Sequence, residues 1–305
     1  MASSKKKRST KSKKTTAKAV EPAVDKKQDA KVSKTEPVRA KTTKTTPKKE
    51  AVAKVLAEKP RFNAFAWNKW LAITFALQGI AILVVSATKT LPVTMSYLTP
   101  GPLGEGGMFN ATHHIFDLDV AWLIAISLLS LAVVHTLLAT AYRQRYEAEL
   151  TAGVNRMRWA GYGVGGSVMA VAVALLGGIS DLASLLMIVT LTLMVSLLGF
   201  MQERKQGGRV AYILCTLAGV VTWTVLGMYL IGANIFGSGT MPAFLYWVYG
   251  SALVFYGAFA ANFYLLRKQQ GKWSDYLYGE RMYMILGFVT ATAIAWQIFA
   301  GTLRP

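Results

Sequence analysis

The sequence predicts an all-α membrane protein, a bundle of seven transmembrane helices behind a basic tail. Three observations carry this. Hydrophobic residues make up 53 % of the 305-residue chain and the mean hydropathy is +0.35, ordinary for a multi-span membrane protein and high for a water-soluble one. Seven apolar runs follow one another, each near the ~20 residues that cross a bilayer as a helix. The charge is also lopsided: of 34 Lys and Arg residues, 20 lie in the first 61 positions.

Residues 1–61 form the first domain, a basic tail with no aromatic residue and with low-complexity blocks such as "RSTKSKKTTAK" and "KTTKTTPKK". Too little apolar surface exists there to offset the entropy of ordering, so disorder is expected. The tail is no signal peptide, because no 7–15-residue apolar core follows its first charges. Its charge suits anionic lipid on the inner leaflet or a cytoplasmic partner. Nucleic acid is a further partner, bound non-specifically, since nothing in the tail stacks on bases.

Residues 62–305 form the membrane domain, with spans expected at 68–88, 119–142, 156–177, 181–201, 209–232, 241–266 and 281–301. Aromatic residues cluster near several ends, among them Phe65, Trp67, Trp122, Trp159, Tyr246 and Trp247, as in interfacial belts. Loops on one side, with the tail, hold 32 of the 34 basic residues; the other side has only Lys89 and Arg304. The positive-inside rule then puts the N-terminus in the cytoplasm and the C-terminus outside. The outer loop 89–118 has a "TPGPLGEGG" turn between two alternating flanks, which predicts a short β-hairpin.

Individual residues say less. Cys215, the lone cysteine, reads as a small buried side chain. The adjacent His113 and His114 would point to opposite faces of a strand and make a poor metal pair. Asp181 is placed to cap a helix N-terminus. Arg158 reads as an interface anchor, with Glu149 or Glu203 as the alternative partner. His135 is the one histidine inside a span; a satisfied buried imidazole is its plain reading, and proton sensing the sharper one. No paired carboxylates, Ser/His/Asp set, HExxH or phosphate loop appears, so no enzyme is expected. The lack of acids within the spans argues against an ion pump.

Longer stretches resemble one family. "NRMRWAGY" at 155–162, "LLGGISDL" at 175–182, "FAANFYLL" at 259–266, "GKWSDYLYGERMY" at 271–283 and "AWQIFAGTLRP" at 295–305 are similar to the heliorhodopsins, inverted relatives of microbial rhodopsins. The resemblance covers essentially all of 62–305 and leaves out the tail. It implies a rhodopsin-like seven-helix fold, a homodimer and light-sensor ancestry. It also implies a retinal Schiff base on a lysine of the last span, whose position here is Ala291. The serine one turn earlier is Gly287, and the counterion carboxylate is Gly161. A run of three serines becomes Gly165, Gly166 and Ser167. A histidine three residues before a glutamine becomes Phe75 before Gln78, while the second-span histidine is kept as His135.

Covalent retinal is therefore not expected. Losing both partners of a buried ion pair can be nearly neutral, whereas losing one leaves an uncompensated charge. Two outcomes for the vacated space stand side by side. The small-residue faces Gly161-xxx-Gly165 and Gly287-xxx-Ala291-xxx-Ala295 suit close approach of spans three and seven, with collapse of the pocket. Alternatively, a non-covalent lipid, carotenoid or free retinal occupies it. The functions expected are a non-photochemical sensor or signalling scaffold, a carrier of an apolar ligand, or a passive channel.

Overall fold

The computed structural model describes residues 62–101, 106–237, 239 and 241–305; the predicted tail disorder and the tip of the hairpin turn lie outside them. Among the described residues eight α-helices and one hairpin follow in order: α1 (Ala64–Val85), β1 (Thr90–Pro100), β2 (Met108–Asp119), α2 (Val120–Ala139), α3 (Arg143–Thr151), α4 (Arg156–Leu176), α5 (Leu182–Glu203), α6 (Gly208–Phe236), α7 (Ala243–Lys268) and α8 (Tyr276–Ile298). All except α3 are long and apolar enough to cross a membrane, and the chain is a multi-pass membrane protein. The last of these continues through a π-helical turn, Phe299–Leu303.

Helix starts are set by side chains that satisfy otherwise orphaned backbone N–H groups. Asn63, Asp119, Asn155, Asp181 and Asp275 accept from the first turns of α1, α2, α4, α5 and α8. The short α3, polar along its length, was not expected between spans two and three. It folds because Tyr146 and Leu150 bury one face beneath the bundle.

Neighbouring helices pack α1 on α2, α2 on α4, α4 on α5, α5 on α6, and α7 on α8. The most enclosed is α4, and α6 touches α7 only loosely. Close approach of α4 to α2 depends on Gly165. A Cβ there would stand 2.8 Å from Ser130 Oγ and 3.2 Å from the Ser127 carbonyl, and Ser127 Oγ donates to the Gly165 carbonyl at 2.7 Å. Gly161 faces Val134 of α2 in the same way. The glycine face thus packs α4 against α2, not against α8 as the spacing suggested.

The predicted hairpin forms, antiparallel, with a bulge between Val93 and Thr94. Val93 is fully buried, and beyond the bulge most residues of the ribbon are exposed. Its docking runs through the start of α5: Thr94 N donates to the Ser180 carbonyl at 2.9 Å, and Ser96 N to Asp181 Oδ1 at 3.3 Å. Asp181 Oδ2 also accepts from Ser184 N at 3.1 Å. These backbone donors, Ser184 first, hold the Asp181 carboxyl below its ordinary range.

Asp181→Ala is expected to cost about 0.5–2 kcal/mol, the usual loss of an N-cap. Amide exchange should quicken at Thr94–Ser96. Because the folded pKa is depressed, the carboxylate's contribution is present above the ordinary aspartate value of ~3.9. It is lost as pH falls through the lower folded value, and solvent screening keeps it small. Unchanged exchange in the variant would show that the hairpin docks by other contacts.

Candidate functional site

Inside the bundle lies a cavity of about 500 Å³, bordered by α2, α4, α5, α6, α7 and α8. On α8 its wall is Tyr283, Gly287, Thr290, Ala291 and Ile294, one face at helical spacing. Aromatic rings dominate the rest: Trp159 and Tyr162 of α4, Trp223 of α6, and Tyr249, Tyr256 and Phe259 of α7. Tyr162 packs edge-on to Phe259 at 5.3 Å, and Trp223 lies 4.7 Å from Tyr256, centroid to centroid. No lysine, arginine, histidine, aspartate or glutamate among the described residues borders the cavity.

Collapse of the space between the third and seventh spans is thereby overturned. Tyr162 is the reason. Its hydroxyl donates to the Tyr283 carbonyl at 2.7 Å and sits where a Cβ on Gly287 would come within 2.9 Å. The glycine on α8 makes room for a phenol from α4, and that phenol keeps the two backbones apart.

Of the residues singled out from the sequence, Ala291, Gly287, Gly165 and Gly166 come together on the cavity wall. Gly161 does not. It borders a separate void of about 10 Å³ with His135, Asn68, Arg158 and Glu280, and Leu131 and Tyr162 stand between the two spaces, bordering both. Ser167 turns away, donating to the Gly163 carbonyl at 2.6 Å. Phe75 stacks on His135 at 5.8 Å and packs against Phe288. Gln78 accepts from Trp296 Nε1 at 3.0 Å. His135 Nδ1 pairs with Asn68 Oδ1 at 2.7 Å, so the imidazole is satisfied by a side chain rather than by a backbone carbonyl.

A second site was missed. Arg158 is buried and paired to both Glu203 and Glu280, which overturns its reading as an interface anchor. Glu149 instead takes Arg145 and Arg156. Glu203 also accepts from Trp159 Nε1 at 2.7 Å and Tyr276 Oη at 2.9 Å. Glu280 also accepts from Asn155 Nδ2 at 2.6 Å and Tyr146 Oη at 3.2 Å. Burial pushes the Tyr146 phenol pKa up, keeping it a donor. These three charges tie α4, α5 and α8 at the arginine-rich end, with Arg158 Nε left without a partner among the described residues. The spans are therefore not free of acids. Glu280 lay outside the expected last span, whose start at 281 proves to be Tyr276.

Cys215 is buried, with Sγ 3.4 Å from the Val195 carbonyl. His114 pairs with Asp117 at 3.0 Å, and no group of three or more metal-ligating side chains occurs among the described residues.

One gap matters for access. Along α6, Thr216, Val220 and Thr224 border the cavity and are exposed; along α7, so are Leu253, Gly257 and Ala260. Both triplets recur about once per turn, so they line a slot between helices that barely touch. It opens sideways, at the depth of the bilayer.

A family model described as Heliorhodopsin matches residues 65–303. Among solved structures, the chain is similar to a light-driven proton pump, LR (Mac), from Leptosphaeria maculans. Identity is 11 % and the TM-score 0.47, over 80 % of this chain and 96 % of that one. No curated protein matches the chain.

Proposed function

This chain belongs to the heliorhodopsin family, and on that premise we propose that it works as a non-photochemical sensor whose cavity takes an apolar molecule non-covalently. The cavity itself is the observation that carries the reading. At about 500 Å³ it falls within the ~300–1,000 Å³ of small-molecule sites. An apolar wall, a slot facing the lipid and the absence of a bordering lysine all suit a membrane-dissolved ligand. Retinal attached as a Schiff base does not fit these residues. Among the described helices the lysines are Lys69 and Lys268, both exposed near the arginine-rich end, and the position corresponding to the family's lysine is Ala291. In the same reading, Gly161 holds the counterion position and is walled off from the ligand.

The N-terminus is cytoplasmic in this proposal, because the tail and the arginine-rich loops share one side. That basic side is the partner surface, facing anionic lipid or a cytoplasmic protein. For the homodimer, the hairpin offers exposed apolar residues in Tyr97, Leu98, Met108 and Phe109.

Ligand loading tests the reading. The full chain, purified into nanodiscs, should show saturable uptake of free retinal, a carotenoid or bilayer lipid that organic solvent then extracts. Gly166→Phe should cut that uptake at least ~10-fold with the fold intact. A Cβ at Gly166 meets nothing nearer than Thr192 Cγ2 at 3.7 Å, so the ring has only the cavity to fill. Wild-type protein that takes up none of the three would overturn the proposal.

A further inference from the structure

Charge is unevenly spread over the basic end of the bundle, and the excess lies at the foot of the slot. Around α3 the arginines are neutralised: Arg143 pairs with Glu147, and Arg145 and Arg156 pair with Glu149. From residue 204 to residue 274 the chain has no aspartate or glutamate. Arg204 and Lys205 before α6, Arg209 in its first turn, Arg267 and Lys268 in the last turn of α7, and Lys272 beyond it are all exposed. None of the six makes an ion pair among the described residues. The acids that flank this stretch are already engaged, Glu203 by Arg158 and Asp275 by the first turn of α8.

Helix geometry joins these cations to the slot. Arg209 precedes Thr216 by two helical turns and Arg267 follows Ala260 by two, so both lie on the faces that line the slot. Between the cations and the slot, the rings of Tyr212 and Phe263 stack at 5.8 Å and bridge α6 to α7. The Arg267 guanidinium carbon stands 4.6 Å from the centre of the Tyr212 ring. Arg267 also donates to Gln202 of α5, which donates in turn to the Gly208 carbonyl. Neutral groups thus hold this cation in place, and its charge has no anion to answer it.

Exposed apolar walls that end on uncompensated cations suit an anion carried on a hydrocarbon chain. A neutral lipid would leave the charges unanswered, and a soluble anion would gain nothing from Val220 and Leu253, both exposed on the slot. Basic pockets between helices at the headgroup layer hold phosphate, arginine doing so through paired donors. We propose that an anionic glycerophospholipid covers the slot. Its phosphate rests among Arg209, Arg267 and Lys268, and one acyl chain lies between α6 and α7. This site rests on the basic side meeting the headgroups, as proposed above, and not on what fills the cavity.

Native mass spectrometry of the full chain in detergent tests this, with phosphatidylglycerol and phosphatidylcholine of matched chains as the probes. Phosphatidylglycerol should bind about 10-fold more tightly, the scale of one or two contacts to a cation. Arg209→Gln with Lys268→Gln should remove most of that preference. Neither side chain makes a hydrogen bond among the described residues, so the fold is spared. Arg143→Gln with Arg145→Gln removes as much charge from the neutralised side and should leave the preference within about 2-fold of wild type. The tail is present in every sample, so its charge cancels from the comparison. Equal binding of the two lipids by wild type, or equal loss in both double variants, would overturn the inference. So would inorganic phosphate displacing the lipid at equal concentration, since the slot would then take no part. Lipid bound to monomers and absent from dimers would overturn it too, by showing that a second copy covers this face. Retinal uptake by the same samples reports on the cavity separately, and intact uptake beside any of these failures leaves the sensor reading standing.

Discussion

Arg158→Met should lower the stability of the bundle by about 3–5 kcal/mol, the usual consequence of removing one partner from a buried ion network. Arg158 is buried, with Glu203 and Glu280 as its partners. Without it, two carboxylates face each other among the rings of Trp159, Tyr276 and Tyr283. The hydrogen bonds from Asn155, Tyr146, Trp159 and Tyr276 remain, but they do not cancel the repulsion. The triple variant Arg158→Met, Glu203→Gln, Glu280→Gln should regain much of the loss, because no uncompensated charge is left. Thermal unfolding in detergent, read for the single and triple variants together, separates the charge effect from lost packing. Equal losses in the two would show that Arg158 matters through its contact with the Tyr283 ring, 4.1 Å from the guanidinium carbon, rather than through its charge.

Ala291→Lys should convert the cavity into a retinal-attachment site. Ala291 is on the cavity wall, and a lysine there has open space in which to extend. Added retinal should form a Schiff base that absorbs in the near ultraviolet. With no carboxylate on the wall, burial disfavours the protonated form. Adding Gly161→Glu should move the band into the visible, once an anion offsets the charge. That carboxylate starts on the far side of Leu131 and Tyr162, and its Cβ would stand 3.1 Å from Val134 Cγ2. Val134 must therefore give by a few tenths of an ångström. Absorption spectra with and without borohydride reduction report both steps. If Ala291→Lys forms no adduct, the cavity is closed to ligands at that wall.

Much of the architecture is legible in the sequence because hydropathy and turn chemistry are local. Seven spans, the hairpin and the Asp181 cap all follow from segments that can be read alone. Boundaries are less legible where a first turn is mixed in character. "YLYGERMY" looks like loop because it carries Glu280 and Arg281, yet Tyr283 and Glu280 are among the most buried side chains. The buried ion pairs join residues 45 and 122 positions apart, and no spacing rule reaches that far. Small-residue faces were visible on α4 and α8, but not their partners. Gly161 and Gly165 fit α2, while Gly287 accommodates Tyr162. The cavity exists because aromatic rings from four helices prop it open, and ring placement is a property of the assembled bundle.

The central claim is that this heliorhodopsin-family bundle holds its ligand without a covalent bond. Intact-protein mass spectrometry after expression in cells supplied with retinal, with borohydride added before denaturation, addresses it most directly. The account predicts the mass of the unmodified chain, with any retinoid or lipid recovered in the organic extract. A retinyl adduct mapped to any lysine of this chain would contradict it.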